Sequence, residues 1–305
     1  MPKNEYSECK LCARTCGVDR NEAVGYCNMS ADTYVSYYSL HRWEEPPISG
    51  ERGSGTIFFD GCSLGCVFCQ NTKISRGRNG KRLSVEELSS VMLELQAAGA
   101  HNVNFVTPTH FSPSVASAVR VARAKGLTIP TVYNTGSYDS VSALERLDGL
   151  IDVYMPDLKY YKADTAKKYS NAADYPVVAR AAISEMFRQV GPAELDENGL
   201  MKKGIIVRIL LLPNHVAEAK LSLKYVYDTY GDNVYVSLMN QYTPMPDMKP
   251  PLNRRVTREE YASLVDYAER LGVKNAFVQE WGTAEESFIP PFGDEKNICG
   301  IRKER

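Results

Sequence analysis

The chain has 305 residues, of which 44% are hydrophobic and 24% charged, and a formal net charge of −1. That balance suits a folded protein with a sizeable core and gives no basic field for nucleic acid, since the one basic run, residues 76–82, reads as a solvated loop. The first residues lack the apolar stretch of a secretory signal, and the strongest apolar run, 205–212, is interrupted by Arg208 and too short to span a bilayer; a soluble cytoplasmic protein without nucleic-acid or membrane partners is expected. The eight cysteines fall as a group of four, a group of three and a single one, a distribution that points to metal rather than to disulfides in a reducing compartment.

Residues 1–50 read as a small lobe of their own. They are poor in long apolar runs and close on Pro46-Pro47, and a bound metal is the usual remedy for so small a core. Cys9, Cys12, Cys16 and Cys27 form a C-x2-C-x3-C-x10-C set of four soft ligands. Four thiolates suit structural zinc or a fully ligated second iron-sulfur cluster, and the spacing does not choose between them.

Residues 51–305 alternate short apolar strands with amphipathic helices. A strand over 55–60 is followed by Ser84-Val85-Glu86-Glu87, a capping box opening a helix with Leu88, Val91, Met92 and Leu95 on one face. A strand over 102–106, a helix started by Ser112-Pro113 and a strand over 129–133 come next. The pattern continues with a helix around 140–147, a strand over 152–158, one long helical region over 165–190 and a tight turn at 196–199. A strand over 205–212, a helix around 216–230, a strand over 233–238, a helix capped by Thr257 and Glu260, and a strand over 275–278 complete it. About seven such strands predict an α/β fold with a parallel sheet closed into a full or partial TIM-like barrel, with functional groups where strands end.

Cys62-Ser-Leu-Gly-Cys66-Val-Phe-Cys69 lies directly after the first of these strands. Three thiolates on one loop can hold three corners of a cubane cluster and leave the fourth iron open. The alternative is a structural zinc site, which would need a fourth ligand that the neighbouring sequence does not offer. With Phe68 just before the last cysteine, the motif resembles the signature of the radical S-adenosylmethionine (SAM) superfamily. The segments 43–50, 53–62 and 66–71, with Thr107-Pro-Thr-His110, Asp157-Leu-Lys159 and Leu212-Pro-Asn214, resemble its pyruvate formate-lyase activating enzyme-related subgroup, a likeness running from about Cys9 to Ile301.

The resemblance implies a [4Fe-4S] cluster on Cys62, Cys66 and Cys69, with SAM chelated at the open iron and cleaved to a 5′-deoxyadenosyl radical that abstracts hydrogen from a substrate. It implies that Phe68 offers its backbone to the adenine, that Thr107 and Thr109 stand where the activases carry a Gly-Gly-Glu segment, and that Asp157 and Lys159 hold SAM. Asn134, with Thr135 and Met155, would line a monovalent cation site. Arg208, inside an apolar strand, must meet an anion, either the SAM carboxylate or an internal one. His110 is a candidate to reach the substrate, His41 a candidate to line the same cavity, and Cys299 reads as a lone thiol. A low-potential donor such as flavodoxin or ferredoxin is implied as a partner, as is a protein substrate if the reaction activates a glycyl-radical enzyme. Competing readings are radical modification of a small molecule or peptide, and a non-catalytic zinc-binding interaction protein.

Overall fold

The computed structural model describes residues 3–77 and 79–281; Arg78, Cys299 and Ile301 lie outside the described residues. A short helix α1 (Lys3–Tyr6) and the cysteine-bearing turns lead into β1 (Thr33–His41), α2 (Pro46–Ser49) and β2 (Ser54–Phe59). The cysteine loop runs from β2 into α3 (Thr72–Ser75), β3 (Lys81–Leu83), α4 (Val85–Ala97) and β4 (Val103–Val106). Then come α5 (Ser112–Ala124), β5 (Thr131–Thr135), α6 (Val141–Glu145), β6 (Val153–Pro156), α7 (Ala163–Ser170) and α8 (Tyr175–Val190). The chain continues through β7 (Glu194–Leu195), β8 (Met201–Leu210), α9 (Val216–Tyr230), β9 (Tyr235–Met239), α10 (Arg258–Leu271) and β10 (Ala276–Val278).

Strands β2, β4, β5, β6, β8, β9 and β10 pair in parallel, in the spatial order β10-β9-β8-β6-β5-β4-β2. Helices cover the outer face, and β2, β4, β5 and β6 are buried along their whole length, on both sides of the sheet. The described ladder runs from β10 to β3 without closing on itself, so the barrel is partial. The two capping boxes read from sequence are formed, Ser84 with Glu87 and Thr257 with Glu260. No helix of the described residues is long and apolar enough to cross a membrane.

Three expectations are corrected. The segment β1, placed in the N-terminal lobe, pairs antiparallel with β2 and β3, so a boundary at residue 50 cuts through hydrogen-bonded sheet. Its buried positions Thr33, Val35, Ser36 and Tyr38 change phase at a register shift between Val35 and Tyr37, so the period of two that marks a strand is broken within it. The helix expected over 165–190 is two helices: Asn171 takes a left-handed φ of 47° that ends α7, and Pro176 sits in the first turn of α8. The strand expected to begin at 205 begins at Met201, because the 196–199 turn makes a hairpin of β7 and β8.

The N-terminal end of the barrel is filled by its own chain. Ile48 of α2 is fully buried with Val132, Val153, Met155, Met201 and Ile206. Val132 and Ile206 precede the cavity-lining Asn134 and Arg208 by two residues and therefore share their inward face. The Ile48 carbonyl accepts from Asn102 Nδ2 at 2.7 Å, and Ser49 Oγ accepts from the Glu44 N–H at 2.9 Å. Residues 44–49 are thus a plug whose first residue points up the barrel.

Gly61 joins β2 to the cysteine loop at a φ of 84°, and a Cβ there would stand 2.8 Å from the Cys27 carbonyl oxygen and collide with Met29. Gly61→Ala combines a left-handed backbone with overpacking against a fixed carbonyl, and is expected to lower stability by about 2–4 kcal/mol in urea unfolding.

Candidate active site

Cys62, Cys66 and Cys69 open on one cavity of about 280 Å3 at the C-terminal end of the parallel strands, shared with Asp157, Lys159 and Arg208. The loop is held on several sides. Its Val67 N–H donates to the Tyr169 carbonyl at 2.9 Å, and the Phe68 ring meets Tyr160, Tyr169 and Tyr242 edge-on at 6.0–6.3 Å. Gln70 Nε2 donates to the Gln241 carbonyl at 3.0 Å, bridging the loop to the segment after β9. Arg14, from the cysteine-rich segment, donates to the carbonyls of Ser63 and Leu64 at 3.0 Å, of Ser170 at 2.8 Å and of Asn171 at 2.5 Å. Its guanidinium lies 4.0 Å from the Tyr26 ring centre and 5.1 Å from that of Tyr138.

The sulfurs receive polar support. Ser170 Oγ donates to Cys66 Sγ at 3.0 Å, and the Leu64 N–H to Cys62 Sγ at 3.4 Å. Burial raises the Cys66 thiol, and burial with the neighbouring thiols pushes Cys69 up to about 11. Metal loading must therefore displace protons, and it supplies the charge that burial withholds. Among the described residues no group of three or more His, Cys, Asp or Glu side chains is gathered tightly enough to hold a single metal ion. Three thiolates on three irons of a cubane stand wider apart than three on one ion, and a serine and an N–H directed at the sulfurs suit that larger group.

Opposite the loop lies a charged floor. Asp157 Oδ1 accepts from Arg208 Nε at 2.9 Å and Oδ2 from Lys159 Nζ at 2.5 Å. Burial alone would raise the Asp157 carboxyl, but Arg208 and Lys159 hold it below the usual carboxylate value. Arg208 Nη2 donates to Asn134 Oδ1 at 2.5 Å, and Arg208 Nη1 lies 3.6 Å from Glu44 Oε2. Glu44 Oε1 accepts from Asn104 Nδ2 at 3.0 Å and Asn134 Nδ2 at 3.4 Å. Of the two anions considered for Arg208, the structure supplies internal carboxylates.

The other predicted residues divide. Thr107 lines the cavity with φ 59°, an uncommon conformation for a β-branched residue. Phe68 and Asn134 also line it, and so does His41. Thr109 is buried with its hydroxyl 3.2 Å from that of Thr135, which itself donates to Asp139 at 2.6 Å. The Asn134 oxygen is taken by Arg208 and the Met155 side chain is in the apolar plug, so the expected cation site has its oxygens engaged by protein groups. His110 does not reach the cavity: it is buried, and its Nε2 donates to the Asp60 carbonyl at 2.6 Å. No periodicity singles out Glu44, Arg14 or Ser170; the only sequence signal was a pair of glutamates directly before Pro46-Pro47.

Burial, with the charge of Arg20, lowers the His110 pKa from 6.5 to about 3. The unfolded chain therefore binds a proton below pH 6.5 that the folded protein refuses. Stability from this residue is fully present above pH 6.5 and is lost as pH falls toward 3, at about 1.4 kcal/mol per unit. Urea midpoints at pH 7 and pH 5 should show this loss in the wild type and a flatter acid limb in His110→Gln.

In the cysteine-rich segment Cys9, Cys12 and Cys27 are buried and Cys16 is exposed. A Cβ on Gly25 would stand 3.4 Å from Cys16 Sγ and 3.5 Å from Cys27 Sγ, so glycine keeps the space between these thiols open. Burial pushes Cys12 up to about 12, with Cys27 and Cys9 adding to the rise.

A partial α/β barrel with a three-cysteine loop at the C-terminal end of its first parallel strand defines the class of protein. Residues 56–192 match the family model described as the radical SAM superfamily. The chain is 29% identical over 283 residues to the uncharacterized protein MJ0674 of Methanocaldococcus jannaschii, covering 88% of this chain and 77% of the relative. It is also similar to Streptococcus suis SuiB bound to S-adenosylmethionine, at 13% identity and a TM-score of 0.48, over 74% of this chain and 50% of SuiB. For SuiB bound to precursor peptide SuiA the identity is 13% and the TM-score 0.48, over 72% of this chain and 46% of that one. The chain thus spans about half the length of the SuiB chains.

Proposed function

We propose that the protein is a radical SAM enzyme that holds a [4Fe-4S] cluster on Cys62, Cys66 and Cys69, reductively cleaves SAM there, and abstracts hydrogen from a substrate. The observation that carries this reading is the opening of three thiols of one loop onto the cavity that also contains Asp157, Lys159 and Arg208. Cys62, Cys66 and Cys69 would hold the cluster, which when bound would supply a low-potential electron and an iron free to take the amino and carboxylate groups of SAM.

The chain's own residues set the conditions for that chemistry. Ser170 and the Leu64 N–H stabilise thiolate sulfur, and Arg14 with the tyrosines around Phe68 fixes the loop. Lys159 and Arg208 each hold one oxygen of Asp157 and keep it ionised at the cavity wall. Trp43, 65% exposed at the cavity, is placed to limit solvent entry. Cys9, Cys12, Cys16 and Cys27 are the candidate ligands of a second metal, either zinc, around which they would have to draw closer than they stand here, or a further iron-sulfur cluster. A low-potential donor such as flavodoxin or ferredoxin, in the cytoplasm, delivers the electron.

Activation of a glycyl-radical enzyme is the finer role, and it rests on the sequence resemblance. Modification of a small molecule or peptide is the second reading, favoured by a cavity of about 280 Å3, at the small end for ligand pockets. The test is 5′-deoxyadenosine formation from SAM by anaerobically reconstituted protein under dithionite, beside a variant with Cys62, Cys66 and Cys69 all replaced by alanine. Product from the wild type alone is expected. Product from both, or none from a wild type carrying the reduced cluster and offered candidate substrates, would overturn the reading.

A further inference from the structure

The cysteine loop has two faces. Cys62, Leu64, Cys66, Phe68 and Cys69 line the cavity, whereas Val67 does not line it and is 48% exposed. A partner seated on Val67 stands one residue from the Cys66 thiol without entering the cavity.

The chain around this outer face is basic. From Cys62 to Val85 it carries Lys73, Arg76, Arg78, Lys81 and Arg82 and no Asp or Glu. Arg76 lies against Gly65, where a Cβ would collide with Nη2, and its guanidinium is 5.3 Å from the Tyr26 ring centre. Arg14 covers the same ring at 4.0 Å. From α7, Lys168 Nζ lies 5.0 Å from the ring centre of Tyr169, the residue whose carbonyl accepts from the Val67 N–H. Lys73, Arg76 and Lys168 are exposed, and neither they nor Arg14 pair with any described carboxylate. Arg82, by contrast, is committed to Asp32 at 2.9 Å, and Asp174, behind Tyr138, is engaged by the Tyr138 hydroxyl at 2.7 Å.

Single unpaired cations in solvent are ordinary, but four flanking one short loop with no carboxylate among them make a local positive field. Val67 and Tyr26, 48% and 38% exposed, give that field an apolar centre. An apolar centre with a charged rim suits a transient protein partner of opposite charge, which such a field steers into place. A net charge of −1 over the chain leaves no extended basic track for a nucleic-acid backbone.

We propose that this face, Val67 and Tyr26 rimmed by Arg14, Lys73, Arg76 and Lys168, is the docking surface of an acidic one-electron carrier protein. The carrier is oxidised by one electron, the cluster behind Val67 is reduced by it, and no bond or proton changes hands. The identity of the acceptor rests on the radical SAM reading; the attraction of the surface for an acidic protein does not.

The experiment is anaerobic stopped-flow reduction of the reconstituted protein, followed by loss of the cluster's visible absorbance, with the hydroquinone of an acidic flavodoxin and with dithionite. The wild type is compared with Lys73→Glu/Lys168→Glu, whose native side chains make no hydrogen bond to described groups, and with Lys202→Glu/Lys203→Glu, an equal charge change at the start of β8. At low ionic strength the first variant is expected to lose at least about tenfold in its bimolecular rate with flavodoxin, and the second to stay within about twofold of wild type. The wild-type rate with flavodoxin falls as salt is added, while dithionite reduces all three proteins at matching rates. Arg76→Gln, which removes one charge from the rim, gives an intermediate flavodoxin rate. Equal flavodoxin rates for the wild type and Lys73→Glu/Lys168→Glu, at equal iron content and melting temperature, overturn the proposal. An equal loss in both double variants also overturns it, because net charge alone would then be responsible. A protein that takes up no reducible cluster sinks the radical SAM reading instead, and calorimetric binding of oxidised flavodoxin by the wild type against Lys73→Glu/Lys168→Glu then decides the docking surface alone.

Discussion

Replacing Arg208 by methionine is expected to lower stability by about 3–5 kcal/mol, the largest loss of any single substitution considered, because it leaves buried carboxylates without their cation. The side chains of Arg208, Asp157 and Glu44 are only 13%, 17% and 10% exposed, so solvent cannot take over the role of the guanidinium. Methionine fills much of the same volume without charge, which separates electrostatic loss from cavity formation. The pH dependence gives an independent check. Asp157 has a depressed pKa in the folded protein, so its stabilising contribution is present above its unfolded value and is lost as pH falls through the folded one. The gap between wild type and Arg208→Met should therefore be widest near neutrality and narrow in acid. Combining Arg208→Met with Glu44→Gln should recover part of the loss. Urea unfolding of the two variants and the wild type, from pH 7 downward, measures all three effects.

Arg14→Gln is expected to cost about 3 kcal/mol and to speed the loss of iron from the reconstituted protein several-fold. Four carbonyl oxygens converge on this guanidinium, two from the cysteine loop and two from the end of α7, where Ser170 supports Cys66. Glutamine cannot span them, and lysine offers a single point of charge in place of a planar fork. Iron content after gel filtration, followed over hours beside the wild type and Arg14→Lys, is the readout. Equal retention by all three proteins would mean that the cysteine loop holds its shape without this contact.

The alternation of strands and helices was legible because parallel strands buried on both faces leave apolar runs, and because capping boxes and Ser112-Pro113 mark helix starts by local chemistry. The cysteine loop was legible because its spacing is local to eight residues. What escaped was set by tertiary context. Strand β1 was hidden in a cysteine-rich segment whose composition suggested a separate lobe, and the break between α7 and α8 depends on one left-handed asparagine. Glu44 becomes a cavity residue only because Ile48 anchors the plug among residues more than eighty positions away in sequence. His110 illustrates the converse. A histidine beside a candidate SAM-binding segment looks functional in sequence, yet its ring is enclosed and bonded to a backbone carbonyl.

The most direct measurement is iron quantification with electron paramagnetic resonance of the anaerobically reconstituted, dithionite-reduced protein, before and after addition of SAM. About four irons that depend on Cys62, Cys66 and Cys69, and a cluster signal that changes when SAM is added, are the predicted result. Zinc at both cysteine groups with no iron, or a cluster signal indifferent to SAM, would contradict it.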